Sequence, residues 1–308
     1  MAAGSADWED IDPDECSRPN YAYYIILGVF SCICLCGLVG NAAVLWLLGF
    51  RMKRNPFTVY VLNLAVADFS LLLILLLFST IFMISPVYCN FSDNLFLSLF
   101  IFSGVFLFCY FAGMYLLTAM SVERCLAALF PLWYRCHRPK HLSGILCGMI
   151  WTLAALSVLL IILTWIFTES YYIVFTVLNI VNFVLFSFIP FLSNLALFIK
   201  LRCGSQRRHP GKLYVAVLLS VLFLFVFGLP FTVSNFLLYF AADFFFISCL
   251  LLSLNSSVNP LLYFLLGSCR QCRFQCSLKV AFQRLFEEET TNEERSQVPG
   301  DAVMETSV

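Results

Sequence analysis

Seven apolar runs, each long enough to cross about 30 Å of hydrocarbon, lie along this 308-residue chain at about residues 23–50, 57–85, 95–122, 142–167, 172–199, 213–240 and 244–266. Hydrocarbon offers no water to backbone N–H and C=O groups, so such a run satisfies them within itself, as a helix. The joints between runs are short and polar and leave no room for a separate soluble domain. Composition agrees: 61% hydrophobic and 12% charged, against about 25% charged in a soluble domain, with a mean hydropathy of +0.91. The expected fold is an all-α membrane protein. It comprises an acidic tail (1–22), a seven-helix transmembrane bundle (23–266), a short amphipathic helix after span seven (267–286) and a disordered tail (287–308).

Net charge is zero, but the placement of charge is informative. Of 18 Lys and Arg residues only Arg18 precedes span one. The others form four groups: Arg51 to Arg54, Arg124 to Lys140, Lys200 to Lys212, and Arg270 to Arg295. They alternate with joints (86–94, 168–171, 241–243) that carry no basic residue. Basic loops stay on the cytoplasmic side, so a plasma-membrane protein with its N-terminus outside and C-terminus inside is expected. The first 22 residues lack the basic start and short apolar core of a signal peptide. Asn90-Phe91-Ser92 is a glycosylation sequon in an outside joint. Most of the 14 cysteines fall in spans or on the reducing side. Cys16, Cys89 and Cys249 are near the oxidising side, and an odd set cannot all pair internally; Cys16 with Cys89 or with Cys249 is the pairing this placement suggests.

Polar groups inside a span are costly and face the bundle interior, where they mark a packing joint or a functional path. Asp68 lies about eleven residues into span two, roughly 16 Å deep. Asn41, Asn255, Ser256 and Asn259 lie at comparable depth. Two readings stand: an interhelical hydrogen-bond network around a protonated acid, or a hydrated cavity holding a small cation, with a sodium ion on Asp68, Asn255, Ser256 and Asn259. Pro230 and Pro260 each remove a helix hydrogen bond and kink spans six and seven. Glu123 and Arg124 end span three in the stretch MSVERCL. A boundary arginine either snorkels to water or closes on its neighbouring carboxylate until helices part, when its planar fork of donors can take a partner.

Competing classes lack their signatures. A transporter is expected to show repeats and several intramembrane charges; an enzyme needs a nucleophile with a base, or metal ligands, yet His137, His141 and His209 all sit in joints. A retinal protein needs a lysine in span seven, and residues 244–266 contain none. No required cofactor and no nucleic-acid partner are expected.

Taken together, Gly40-Asn41, Leu64-Ala65-Val66-Ala67-Asp68, Glu123-Arg124-Cys125, Trp151, Pro230 and Asn259-Pro260-Leu261-Leu262-Tyr263 resemble the rhodopsin-like G-protein-coupled receptors over about residues 23–286. Glu123 through Leu126, then Leu129 to Cys136 (LFPLWYRC), Arg138-Pro139 and Gly228-Leu229-Pro230-Phe231 are similar, more narrowly, to the Mas-related branch. The resemblance implies that Arg124 engages a Gα subunit, with Asp68, Pro230, Asn259, Pro260 and Tyr263 relaying helix motion to it. Departures are equally specific. Cys125 replaces the usual Tyr and Gly228 the usual Trp of span six. Gly113 stands where a sodium-ligating Ser is common. Leu99 replaces the cysteine of the common loop disulfide, and the span-four to span-five bridge of some Mas-related receptors also lacks its cysteines. Pro210 occupies the place of the acid that holds the arginine from span six. That leaves Glu123 as the obvious charged partner of Arg124, so signalling without ligand is expected.

The outside surface is acidic and aromatic. Asp93, Trp165, Glu169, Tyr172, Tyr239 and Asp243 are ligand candidates for a short basic or amphipathic peptide or a small cation, with a membrane-interface belt as the plainer reading of the aromatics. After Gly267, Phe274, Leu278, Phe282 and Leu285 recur at helical spacing among basic residues, which describes a helix on the inner leaflet of lipid. Cys269, Cys272 and Cys276 are palmitoylation candidates at its start. Thr290, Thr291 and Ser296 are candidate phosphorylation sites for arrestin, an expectation from the family. The terminus ends Thr306-Ser307-Val308, which suits a PDZ groove. A non-signalling or constitutively active receptor, acting as a membrane scaffold through that terminus, is the alternative to a ligand-driven one.

Overall fold

The structure, a computed structural model, describes residues 21–52, 55–88, 93–139, 141–167, 171–203, 212–228, 230–231 and 242–268. Among the described residues eight α-helices are given bounds, in order: α1 (Tyr21–Trp46), α2 (Pro56–Tyr88), α3 (Asp93–Leu129), α4 (Pro131–His137), α5 (Leu142–Phe167), α6 (Tyr171–Cys203), α7 (Lys212–Phe223) and α8 (Ala242–Ser268). Wider π turns extend α1 (Leu47–Arg51) and α7 (Leu224–Gly228). Six of these helices are long and apolar enough to cross a membrane, and the segment Val217–Gly228 adds a shorter apolar helix. With α7, that is the seven-span bundle expected from the sequence.

The helices differ in how much of their span is covered. In α2 and α8 half or more of the apolar window is buried (50% and 56%), whereas α5 and α6 bury 22% and 25%. Thus α2, α8 and, at 39%, α3 form the interior. The outward faces of α5 and α6 carry residues such as Ile145, Met149, Phe188 and Leu192, all exposed. Apolar side chains on every face of a helix are what a lipid-facing position demands. The core itself runs along α2 and α3, through Tyr60, Leu64, Leu72, Phe111, Leu116 and Met120.

Local signals are visible in the chain. At the start of α2, Asn55 Oδ1 accepts the Thr58 N–H at 2.7 Å and Thr58 Oγ1 accepts the Asn55 N–H at 2.9 Å. This is reciprocal capping ahead of a proline at the first helical position. Between α1 and α8 the backbones meet closely: a Cβ at Gly37 would strike Ser257 and Leu72, and one at Gly40 would lie 3.1 Å from Pro260. Polar ties cross the interior as well. Trp151 Nε1 donates to Asn63 Oδ1 at 2.9 Å, and Tyr115 donates to Asn182 Oδ1 at 2.8 Å.

One boundary differs from the expectation. Span three was expected to close at 122, with Arg124 just beyond it. Helix α3 instead continues to Leu129, so Arg124 lies inside the helix, more than a turn from its end. Ala127 and Ala128 favour helix, and the break falls at Phe130, immediately before Pro131.

Candidate functional site

At one end of the bundle, α3 brings Glu123 and Arg124 against the short helix α4. Pro131 opens α4 at its first helical position, and its seven residues return the chain toward α3. Glu123 is 6% exposed. Its Oε1 accepts the Tyr134 hydroxyl at 2.6 Å and Arg138 Nη2 at 2.6 Å. The Glu123 and Arg138 side chains are both nearly covered, so this is a buried, charge-assisted pair. Arg138 Nη2 also donates to Ser143 Oγ in the first turn of α5, and the Arg138 guanidinium lies 5.2 Å from the centre of the Tyr134 ring. Burial first, then the Glu123 carboxylate, pushes the Tyr134 phenol above its ordinary range. Tyr134 therefore keeps its proton at neutral pH and acts as a donor.

The Arg124 guanidinium sits 4.0 Å from the centre of the Phe57 ring on α2, a cation–π contact. From the sequence, Glu123 was expected to serve Arg124; the partners the structure gives its Oε1 are Arg138 and Tyr134. Arg138 entered the sequence reading only as part of the Arg138-Pro139 resemblance, with no partner assigned to it. Its signal was faint: a third arginine, fifteen residues past the carboxylate, after a Pro-led turn. Just past the end of α3, Phe130 and Leu132 are 57% and 80% exposed.

The second polar site lies deep between α2 and α8. Asn259 Nδ2 donates to Asp68 Oδ2 at 2.9 Å, and the Ser256 hydroxyl is beside the same carboxylate. Asp68, Asn255, Ser256 and Asn259 are all buried. Asn41 joins α1 to this cluster, donating through Nδ2 to the Gly37 and Ser256 carbonyls at 3.0 and 3.1 Å. The buried Asn255 Oδ1 has no hydrogen-bond partner. On α3, Gly113 has no side chain to contribute, and nothing lies within 4 Å of a Cβ placed there. Among the described residues no cluster of three or more His, Cys, Asp and Glu side chains is present.

Tyr263 is buried on α8, one turn beyond Asn259, and Pro260 packs against Gly40. Pro230 follows the π turn of α7, and Phe231 next to it meets Phe106 and Tyr110 edge-on at 5.2 and 5.1 Å. Trp165 is 43% exposed and tilts against Phe100 at 4.6 Å. Cys249 is buried with a free thiol. Asp93, Tyr172 and Asp243 begin or lie near the starts of α3, α6 and α8, but their side chains are outside what is described. Glu169, Tyr239, Asn90, Cys16, Cys89, Cys269, Cys272, Cys276, Thr306 and Val308 also lie outside the described residues, as do Thr290, Thr291 and Ser296.

Comparison with known proteins bears on these two polar sites. The profile of the 7 transmembrane receptor (rhodopsin family) matches residues 40–263, a stretch that contains both. Proto-oncogene Mas of Rattus norvegicus is 37% identical over 277 residues, covering 86% of this chain and 84% of that protein. Mas-related G-protein coupled receptor member X2 of Hoolock hoolock is 42% identical over 276 residues, covering 83% and 81%. Mas-related G-protein coupled receptor member X1 of Mus musculus is 35% identical over 305 residues, covering 94% and 93%. A helical bundle with one buried acid at mid-depth and a Glu-Arg pair at one end, matched over most of its length by these receptors, belongs to the rhodopsin family of seven-transmembrane receptors and, within it, to the Mas-related G-protein-coupled receptors.

Proposed function

We propose that this receptor activates a heterotrimeric G protein, of the Gq or Gi class, through the end of the bundle that carries Arg124. That end is the cytosolic one in this reading, since the basic joints cluster there. The observation that carries it is the Arg124 guanidinium resting on the Phe57 ring, at the end of α3 after which Phe130 and Leu132 stand exposed. A planar donor fork next to an apolar shelf suits a partner helix that ends in free carbonyls and carries apolar side chains. The test is nucleotide exchange on purified Gq and Gi heterotrimers by receptor in lipid discs. Arg124→Ala is expected to bring exchange to the receptor-free rate. Exchange unchanged in that variant sinks the reading.

On the opposite side the ligand is a short basic or amphipathic peptide or a small cation. Support comes from the acids and aromatics of the tail and joints, with Trp165 the one described candidate side chain that is exposed. A sodium ion on Asp68 and Asn255 would supply positive charge to the buried carboxylate. Arrestin binding to the acidic Ser/Thr tail, palmitoylation at Cys269, Cys272 or Cys276, glycosylation at Asn90, lipid contact along 267–286 and PDZ capture of Thr306 and Val308 complete the proposal; each rests on the sequence pattern.

A further inference from the structure

Helix α6 reverses the order of a water-soluble helix. Ile180, Val181, Val184 and Leu185 are exposed, while Asn179, Asn182, Ser187, Pro190, Asn194 and Leu197 are buried. The buried set recurs mostly at three- and four-residue spacing, one face of a helix, and α6 packs chiefly on α3. Hydrocarbon on the outer side offers no hydrogen bond, so these amides find partners inside the bundle or go without. Asn179 Nδ2 donates back to the Phe175 carbonyl and Asn194 Nδ2 to the Pro190 carbonyl, both at 2.8 Å and within α6. Asn182 Oδ1 accepts the Tyr115 phenol of α3 at 2.8 Å, and that hydroxyl lies 3.4 Å from Ser157 Oγ on α5. Three amide atoms of this face are buried with no hydrogen-bond partner: Asn179 Oδ1, Asn182 Nδ2 and Asn194 Oδ1. An unpaired buried donor or acceptor bears the full desolvation cost of that group.

We propose that the junction of α3, α5 and α6 is a binding site for an ordered water molecule, which accepts a hydrogen bond from Asn182 Nδ2 and donates one to Asn179 Oδ1. The two amides are three residues apart on one helix face, 2% and 4% exposed. Side chains at that spacing have Cβ atoms about 5–6 Å apart, a gap that one molecule closes with two hydrogen bonds of about 2.8–3.0 Å. The occupant has to accept and donate at once. Water does both, and buried waters make about three hydrogen bonds to groups that would otherwise stay unpaired. A cation is disfavoured, because α6 carries no Asp or Glu and the Asn182 N–H groups present positive charge. The site is separate from the Asp68 cluster, which lies between α2 and α8. A joint closed by water can be remade when α6 shifts along α3, whereas a direct side-chain pair would be broken.

Water held in the junction can be read directly. In full-length receptor in lipid discs, brief X-ray pulses turn water into hydroxyl radicals, which oxidise the side chains they touch before diffusing away; mass spectrometry then locates the added oxygen. Tyr115 is buried from bulk water, so oxidation there reports water inside the bundle. Wild-type Tyr115 is expected to be oxidised, and the yield is expected to fall about fivefold or more in Asn179→Leu, which removes one partner of the water. That variant keeps the Asn182 hydrogen bond to Tyr115. Wild-type Tyr115 without added oxygen overturns the proposal, whatever the variant does. A yield that stays level or rises in Asn179→Leu overturns it too, since a seam that is merely loosened admits more water. A density map sharp enough to resolve ordered water is expected to show one compact peak about 2.7–3.2 Å from both Asn179 Oδ1 and Asn182 Nδ2. An empty seam in such a map, or elongated density from a lipid or ligand chain, overturns the proposal as well.

Discussion

Asp68 and Glu123 are both buried acids, 5% and 6% exposed, on neighbouring helices, yet the molecule answers them differently. Glu123 meets a guanidinium and a phenol; Asp68 meets an amide and a hydroxyl. A carboxylate matched by a full charge is fixed as an anion, and its removal strands that charge. One held by neutral dipoles is free to take up a small cation or a proton and to release it again. The contrast separates a structural clasp at one end of the bundle from an adjustable point at its middle.

Substitutions rank the two acids. Glu123→Ala leaves Arg138 buried without its anion and is expected to cost about 3–5 kcal/mol, read as a drop in thermal unfolding temperature of the receptor in detergent. Tyr134→Phe deletes one hydrogen bond to the same carboxylate and is expected to cost about 1.5–3 kcal/mol, with its thermal shift smaller than that of Glu123→Ala. Asp68→Asn keeps an oxygen for the Asn259 donor and is expected to change stability by under about 1 kcal/mol. The same variant should also lose any stabilisation of the wild type by added sodium chloride over potassium chloride. A loss for Asp68→Asn as large as that for Glu123→Ala would erase the distinction between the two sites. No sodium effect in the wild type would remove the cation from the account of Asp68 while leaving Glu123 untouched.

The spans were legible because each is a continuous apolar run, and hydrocarbon accepts little else. Asp68 and Asn259 were legible for the same reason inverted: a lone acid and an amide in oil must find each other, and they do at 2.9 Å. Arg138 was not. Its importance depends on how seven residues of α4 turn the chain back onto α3, and nothing in the period of the sequence encodes that return. The end of α3 was also misplaced, since Glu123 and Arg124 look like the water boundary until a second arginine is seen to bury the first charge. The wider turn at Leu224–Gly228 had no counterpart in the reading of Pro230 as a simple kink. Gly228 lies buried there against Leu224, where a larger side chain would displace it.

Gly37 and Gly40 let α1 lie so close to Ser257 and Pro260 that the two helices touch backbone to side chain with no cushion between them. A strut fastened that tightly cannot bend at the point of fastening. Whatever shifts α8 during signalling must therefore carry the first helix along or yield on the Tyr263 side of Pro260, which makes the seam beside Gly40 the fulcrum of the lever.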